Sequence, residues 1–317
     1  MGWSGTKGDP NMQRDELDEH RGQVTIRPPE GIELRICRML LPEISGPAGA
    51  VWYQVAVERE SNRVIGAVGV REEFSQAARW IVDVHVIPPS RGRGVGRQLV
   101  GMIATQAVSQ GVMALDAWVL PEETSERVHQ IEKLGFQLYK KIFEYETSAA
   151  QALSAATGVY ERLADRGRIP KSARLVSLKN VDESEVIAFH AAYLGGNAEG
   201  LLPRMGGGSV APFEPHLSLV LLVDNRVMGV ALGHLKPDPK IYEFDALVIH
   251  PTLRKGWASA WLRYEQTRRG VDLGCITARY MTFDPKLGAR HSGKRTPSQL
   301  IHTTCWMRRP LMSAPME

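Results

Sequence analysis

The chain has 317 residues, 43% hydrophobic and 23% charged, which suits two globular domains with a core each. Its formal charge of +4 fits phosphate-bearing ligands and is too mild to argue for a nucleic-acid partner. No stretch nears 18 uninterrupted apolar residues, so no membrane span is expected, and three scattered cysteines without a CxxC pair (Cys37, Cys275, Cys305) are expected as reduced thiols, not as a disulfide framework or metal site.

Residues 1–21 are polar and lack an apolar h-region. They are read as a disordered tail and not as a signal peptide, with a cytoplasmic protein expected. Strand-like patterning begins at Val24. VWYQVAVE (51–58), the turn SNR (61–63) and VIGAVGV (64–70) form an expected antiparallel hairpin, followed by the strand WIVDVHVI (80–87). Leu99, Ile103 and Ala107, with Val100, Ala104 and Val108 beside them, mark one face of a helix over about 94–110. ALDAWVL (114–120) is a strand, a charged helix covers about 123–134 and stops at Gly135, and FQLYKKIFEYE (136–146) alternates as a closing strand.

An alanine-rich, then charged stretch broken by Pro170 fits a connecting helix or linker. After it the order of signals restarts. ARLVSL (173–178) is a strand and ESEVIAFHAAYL (183–194) a helix. LSLVLLVDNRVMGVALGHL (217–235) is a hairpin turning at Asp224-Asn225, IYEFDALVIH (241–250) a strand, and a helix follows from about Trp257. GLLPRMGGGSVAPFEPHLS (200–218) reads as a surface loop before the second hairpin, carrying Arg204, Glu214 and His216. This repetition of architecture is simplest as a duplicated domain. The expected organisation is a tail (1–21), a first domain (22–147), a linker (148–171) and a second domain (172–317), both of mixed α/β class.

The chemistry concentrates in VHVIPPSRGRGVGRQLV (84–100). A helix N-terminus exposes unpaired N–H groups with positive partial charge. Gly92, Gly94 and Gly96 let ligand oxygens approach the main chain, and Arg91, Arg93 and Arg97 add charge. The stretch reads as a diphosphate cradle; its bland counterpart is a glycine-rich turn with a solvated basic face. A P-loop motif is missing. A dinucleotide fingerprint would need GxGxxG directly after a strand, whereas here GxGxG follows Pro88-Pro89-Ser90-Arg91. Asp116, twenty residues past Gly96, could serve as its ribose carboxylate, but the antiparallel hairpin opposes that fold.

Val86-x-Pro88-x-x-Arg91-Gly92-x-Gly94-x-Gly96 resembles the acyl-CoA signature of the GNAT superfamily of N-acyltransferases. The hairpin, signature strand, helix, strand, helix, EKLGF phrase (132–136) and closing strand agree with it over residues 22–146. The resemblance implies acetyl-CoA (acyl-CoA) as co-substrate and no metal. Backbone groups of Val84, His85 and Val86 would hold the pantetheine arm. Amides of Gly92, Arg93, Gly94, Val95, Gly96 and Arg97 would hold the pyrophosphate, and the thioester would lie between the signature strand and the next. The acceptor would be an amine-bearing small molecule or peptide, with no nucleic acid and no membrane involved, and a homodimer is compatible.

The family's base is often a carboxylate on the signature strand. Trp80 and Val82 occupy positions where relatives often carry glutamate, which leaves Asp83 as the nearest carboxylate and His85 as the nearest imidazole. Asp83 reads equally as a surface carboxylate and His85 as a packed histidine. The family's thiolate-protonating tyrosine falls on Ile131, and its upstream asparagine on Thr124. The second copy keeps Pro251 and Arg254, then has a single glycine followed by Trp257, and is read as a degenerate GNAT-like domain with a structural or acceptor-binding role; the resemblance implies that its 200–218 loop borders an acceptor, with Arg204, Glu214 and His216 as polar groups for it. Two functions follow: an acetyl-CoA-dependent N-acyltransferase, or an acyl-CoA-binding protein without transferase activity.

Overall fold

A computed structural model describes residues 23–42, 44, 51–73, 79–194, 198–205, 212–238, 240–254, 256–283 and 298–311. The expected tail lies outside them. The chain forms two compact units, Met1–Tyr139 with Trp306–Glu317, and Lys140–Cys305. The unit border thus follows residue 139, ahead of the expected domain end at 147. The expected linker is mostly the helix α4 (Ala149–Asp165) and belongs to the second unit.

Unit 1 is built on β1 (Val24–Arg27), β2 (Val51–Glu58), β3 (Arg63–Glu73), β4 (Arg79–Val86) and β5 (Ala114–Ala117). The first four pair antiparallel in sequence order, and β5 joins β4 in parallel. Helix α1 (Glu33–Leu40) brings Cys37 into an apolar cluster with Leu41, Ile44, Tyr53, Val55 and Val57. Helix α2 (Val95–Ser109) buries Leu99, Val100, Ile103, Ala104 and Ala107, the stripe that the 3.6-residue period marks. The short helix α3 (Glu126–Glu132) ends where Gly135 takes φ +90°, the left-handed stop.

Unit 2 repeats the pattern: β7 (Ala173–Ser177), β8 (Leu219–Val223), β9 (Arg226–Leu235) and β10 (Ile241–Ile249) pair antiparallel, and β11 (Thr277–Thr282) joins β10 in parallel. Asp224 and Asn225, at φ +50° and +60°, make the tight turn of the β8–β9 hairpin where the Asp-Asn pair places it. Helix α5 (Glu183–Tyr193) starts at Asp182, whose carboxylate accepts from the Ser184 N–H at 2.8 Å. Helix α6 (Ala198–Met205) occupies sequence expected as loop, because Leu201 and Met205 join the core of Phe189, Phe213 and Val230. Helix α7 (Trp257–Asp272) buries Ala258, Leu262 and Gln266.

The sixth strand of each sheet is not the next one in the chain. Phe143–Ser148, from β6 (Gln137–Ser148), pair with β11 in unit 2. Arg308–Pro310, the end of β12 (Gln299–Pro310), pair with β5 in unit 1. The two repeats have therefore exchanged their closing strands. Among the described residues no helix is long and apolar enough to cross a membrane, and Cys37, Cys275 and Cys305 are buried.

Candidate active site

Strands β4 and β5 stay together only from Arg79↔Ala114 to Val82↔Ala117, after which the Trp118 N–H donates to the Val82 carbonyl at 2.8 Å. The strand expected over 114–120 therefore ends at Ala117, where β5 leaves β4. Val82 turns its main-chain polar groups to that side, so by alternation Val84 and Val86 do too. On the opposite edge Val84, His85 and Val86 remain paired with Val68, Ala67 and Gly66 of β3. The result is a main-chain edge that opens along Val84–Val86.

The glycine-rich loop follows at once. Pro88–Ser90 form one 3-10 turn, and Arg91 folds back so that its Nε donates to the Val86 carbonyl at 3.0 Å. Gly92 and Gly94 both take left-handed φ, +81° and +76°, and Gly94 is the N-cap of α2. A Cβ at Gly92 would have no atom within 4 Å, so the space over that turn is open. At Gly96 a Cβ would instead lie 3.3 Å from Leu134, so this glycine serves packing. The exposed Arg91 and Arg97 flank the loop. Arg93 departs from the cradle reading: its Nη1 is 3.0 Å from Glu58 Oε1, tying the loop to the end of β2. The Ser61 hydroxyl, then Arg93, hold the Glu58 carboxyl below its usual pKa.

Trp80 and Val82 are buried on one face of β4, with the Trp80 ring edge-on to Trp52 at 5.3 Å, so apolar packing fills the positions where relatives carry glutamate. Asp83 and His85 are half-buried on the other face. Asp83 Oδ1 accepts from the Val84 N–H at 3.0 Å, which puts its carboxylate on the opening edge. Burial, then the charges of Arg91 and Arg127, lower the His85 pKa from its ordinary value and favour the neutral ring. The same cations oppose its taking up a proton. Ile131 is half-buried and Thr124 exposed, both on or beside α3.

Sequence reasoning missed the anchor of β5. Asp116, 3% exposed, is held by Arg79 Nη1 at 3.0 Å and by Arg308 Nε and Nη2 at 2.6 and 2.9 Å. The Arg308 guanidinium lies 3.6 Å over the Tyr139 ring. Asp116 is thus committed to the sheet, and the antiparallel order of β1–β4 removes the dinucleotide alternative. The only hint in the sequence is an aspartate inside an apolar strand, with its partner 192 residues away. Asp116→Ala leaves two guanidiniums facing each other and is expected to destabilise the protein by about 3–5 kcal/mol. Denaturant titration checks this, and a loss below about 1 kcal/mol would remove the anchoring role.

The second copy of the loop is built differently. Arg254 Nε reaches the Ile249 carbonyl at 3.3 Å, as Arg91 does to Val86. Gly256, however, is extended at φ −135°, and α7 starts directly at Trp257. Arg204, named above for an acceptor, is engaged by Asp245 at 2.6 Å and lies 4.1 Å over the Phe213 ring.

In unit 1 an opening sheet edge thus runs into a left-handed glycine turn at a helix start. Residues 17–136 match the model of the acetyltransferase (GNAT) family, and that segment is a GNAT acetyltransferase domain. No curated protein matches the chain. Among solved structures, the chain is similar to a GCN5-related N-acetyltransferase from Sphaerobacter thermophilus (12% identity, TM-score 0.53, 92% of this chain and 97% of that one). It is also similar to a GCN5-related N-acetyltransferase from Anabaena variabilis (12%, 0.60, 92% and 73%). A third is a tandem GNAT protein from the clavulanic acid biosynthesis pathway (15%, 0.53, 92% and 100%). At these identities the likeness is one of fold, and it extends over both units.

Proposed function

We propose that the chain is an N-acyltransferase that moves an acetyl (acyl) group from acetyl-CoA to a primary amine of a small molecule or peptide. The observation that carries this reading is the pair of left-handed glycines, Gly92 and Gly94, at the start of α2 beside the opening edge of β4. Amides over residues 92–97 supply donors for a diphosphate, and Arg91 and Arg97 its counter-charge. Main-chain groups of the Val84–Val86 segment that face the opening edge, those of Val84 and Val86, hold the pantetheine arm. The amine nitrogen attacks the thioester carbonyl, a C–N bond forms, the C–S bond breaks, and the thiolate leaves. A strand N–H facing the opening edge stabilises the oxyanion. Asp83 is the preferred proton acceptor for the incoming ammonium, because a carboxylate attracts an ammonium, whereas the cations Arg91 and Arg127 near His85 repel it. Departure of the thiolate proceeds without the usual tyrosine, since a thiol pKa near 8.5 makes it an adequate leaving group.

Binding of acyl-CoA without transfer is the second reading, favoured by Ile131 and Thr124 at the family's tyrosine and asparagine positions. Release of free thiol from acetyl-CoA against a panel of amines separates the two: transfer requires amine-dependent thiol release, and binding alone gives none. Because the second loop has neither left-handed glycine and carries Trp257 at its helix start, titration is expected to give one acetyl-CoA per chain, unchanged by Arg254→Ala. Two equal sites would contradict that assignment.

A further inference from the structure

A loop that takes an anion on its amides must be ordered while its N–H groups stay free. The glycine-rich loop of unit 1 meets the second condition: among the described residues neither Gly92 nor Arg93 donates its N–H to another main-chain group. The first condition is harder. Gly92 and Gly94, at φ +81° and +76°, lie on either side of Arg93, and glycine has more backbone freedom to lose than any other residue. Nothing lies within 4 Å of a Cβ position at Gly92, so packing does not hold that turn.

Two arginine side chains hold it instead, to two different strands. Arg91 Nε donates to the Val86 carbonyl of β4 at 3.0 Å. Arg93, between the two glycines, reaches the end of β2, where its Nη1 donates to Glu58 Oε1 at 3.0 Å and its Nη2 to Gln23 Oε1 at 3.3 Å. The far end of this tether is itself fixed. Glu58 pairs with Val24 of β1 and Arg63 of β3, and its Oε2 accepts from the Ser61 hydroxyl at 2.7 Å. The Gln23 carbonyl accepts from the Arg59 N–H at 2.9 Å. The Arg93 and Glu58 side chains are 26% and 27% exposed, so most of the pair is shielded from solvent.

Unit 2 supplies an internal comparison. Arg91 and Arg254 both reach back to a carbonyl of their own strand. Two residues further on stands Arg93 in unit 1 and Gly256 in unit 2. Gly256 has no side chain to tether; it is extended at φ −135°, and α7 starts directly after it. Tether and left-handed turn occur together in one unit and are absent together in the other.

We infer that Glu58 is a positioning residue for acyl-CoA binding: through Arg93 it holds the Gly92–Gly94 turn in its ligand-ready shape, and Arg93 is a tether and not a phosphate ligand. The inference rests on the acyl-CoA reading of unit 1 and adds to it a carboxylate 35 residues ahead of Arg93. Its sign is opposite to that of simple electrostatics. A carboxylate near a diphosphate repels it, so charge alone predicts tighter binding once Glu58 is removed. A tether predicts weaker binding, because the ligand must then order the loop itself.

Calorimetry with acetyl-CoA on the full chain decides between the two signs. Glu58→Ala and Arg93→Ala are each expected to weaken binding about fivefold, the upper end for an ion pair that keeps some exposure. The double substitution should be no weaker than either single one, the signature of one shared contact. Ser61→Ala, which loosens the β2–β3 turn and keeps the ion pair, should stay within about twofold. In the ligand-free chain, ¹⁵N relaxation should give Gly92–Gly94 order parameters of about 0.85 without substitution and below about 0.6 in Glu58→Ala, with the interior of α2 unchanged. Tighter or unchanged binding by Glu58→Ala, additive losses in the double substitution, an equal loss in Ser61→Ala, or a loop that stays rigid without Glu58 would each overturn the inference. Absence of acetyl-CoA binding by the unsubstituted chain would instead remove the acyl-CoA reading, and the order parameters of the ligand-free loop then decide the tether alone.

Discussion

Gly94→Val is expected to weaken acetyl-CoA binding by at least a hundredfold while the rest of unit 1 stays folded. Gly94 is at φ +76° and closes the turn that begins at Gly92. A β-branched residue in that conformation is a backbone outlier, because its Cβ meets the following carbonyl at a cost of roughly 1–2 kcal/mol. The loop relieves the strain by rotating Gly94 toward negative φ, and the N–H groups of residues 92–97 then no longer converge. Each charge-assisted hydrogen bond lost from a phosphate is worth about 1.5–3 kcal/mol, so losing two already exceeds the stated factor. Gly101→Ala is the control: Gly101 lies in the same helix, has nothing within 4 Å of its Cβ position, and should leave affinity untouched. Calorimetry with a circular dichroism check on both variants tests this. Undiminished affinity in Gly94→Val would remove the cradle from the proposed site.

The glycine turn at the start of α2 is legible in the sequence because its physics is local. Glycine spacing sets the left-handed turn, and the Leu99, Ile103, Ala107 stripe sets the helix that follows. The Asp224-Asn225 hairpin was legible for the same reason. What stayed hidden depends on distant pairing. Nothing in the residues 137–148 or 299–310 says that each closing strand completes the other repeat's sheet, because alternation specifies a strand and its faces but not its neighbour. The Asp116 anchor needs Arg308, and so could not be found before the exchange was known. Helix α6 overrode a glycine- and proline-rich reading because Leu201 and Met205 have a core to enter, a tertiary gain that local propensity does not count. Arg93 was counted with the cradle by sequence proximity, and Glu58, 35 residues upstream, claims it.

Asp83→Asn is expected to lower acetyl transfer by roughly 10²-fold at pH 7, the low end for acid–base catalysis. The acceptor arrives as an ammonium with a pKa near 10, so its nucleophilic form is scarce at neutral pH unless a group in the cleft takes the proton. Asp83 is half-buried on β4, with its Oδ1 3.0 Å from the Val84 N–H on the edge where the thioester would lie. Asparagine offers the Val84 N–H a carbonyl oxygen of the same shape, so the strand should keep its register while the proton acceptor is lost. His85 is not expected to make good the loss, because burial and the charges of Arg91 and Arg127 lower its pKa and repel an incoming ammonium. The sign of the pH dependence follows. As pH rises toward the amine's own pKa, solvent supplies the free amine, and the deficit of Asp83→Asn should shrink in step. A deficit that is constant from pH 7 to 10 would make Asp83 a positioning residue for the Val84 main chain. No deficit at all, together with a loss in His85→Gln, would move the proton acceptor to the imidazole.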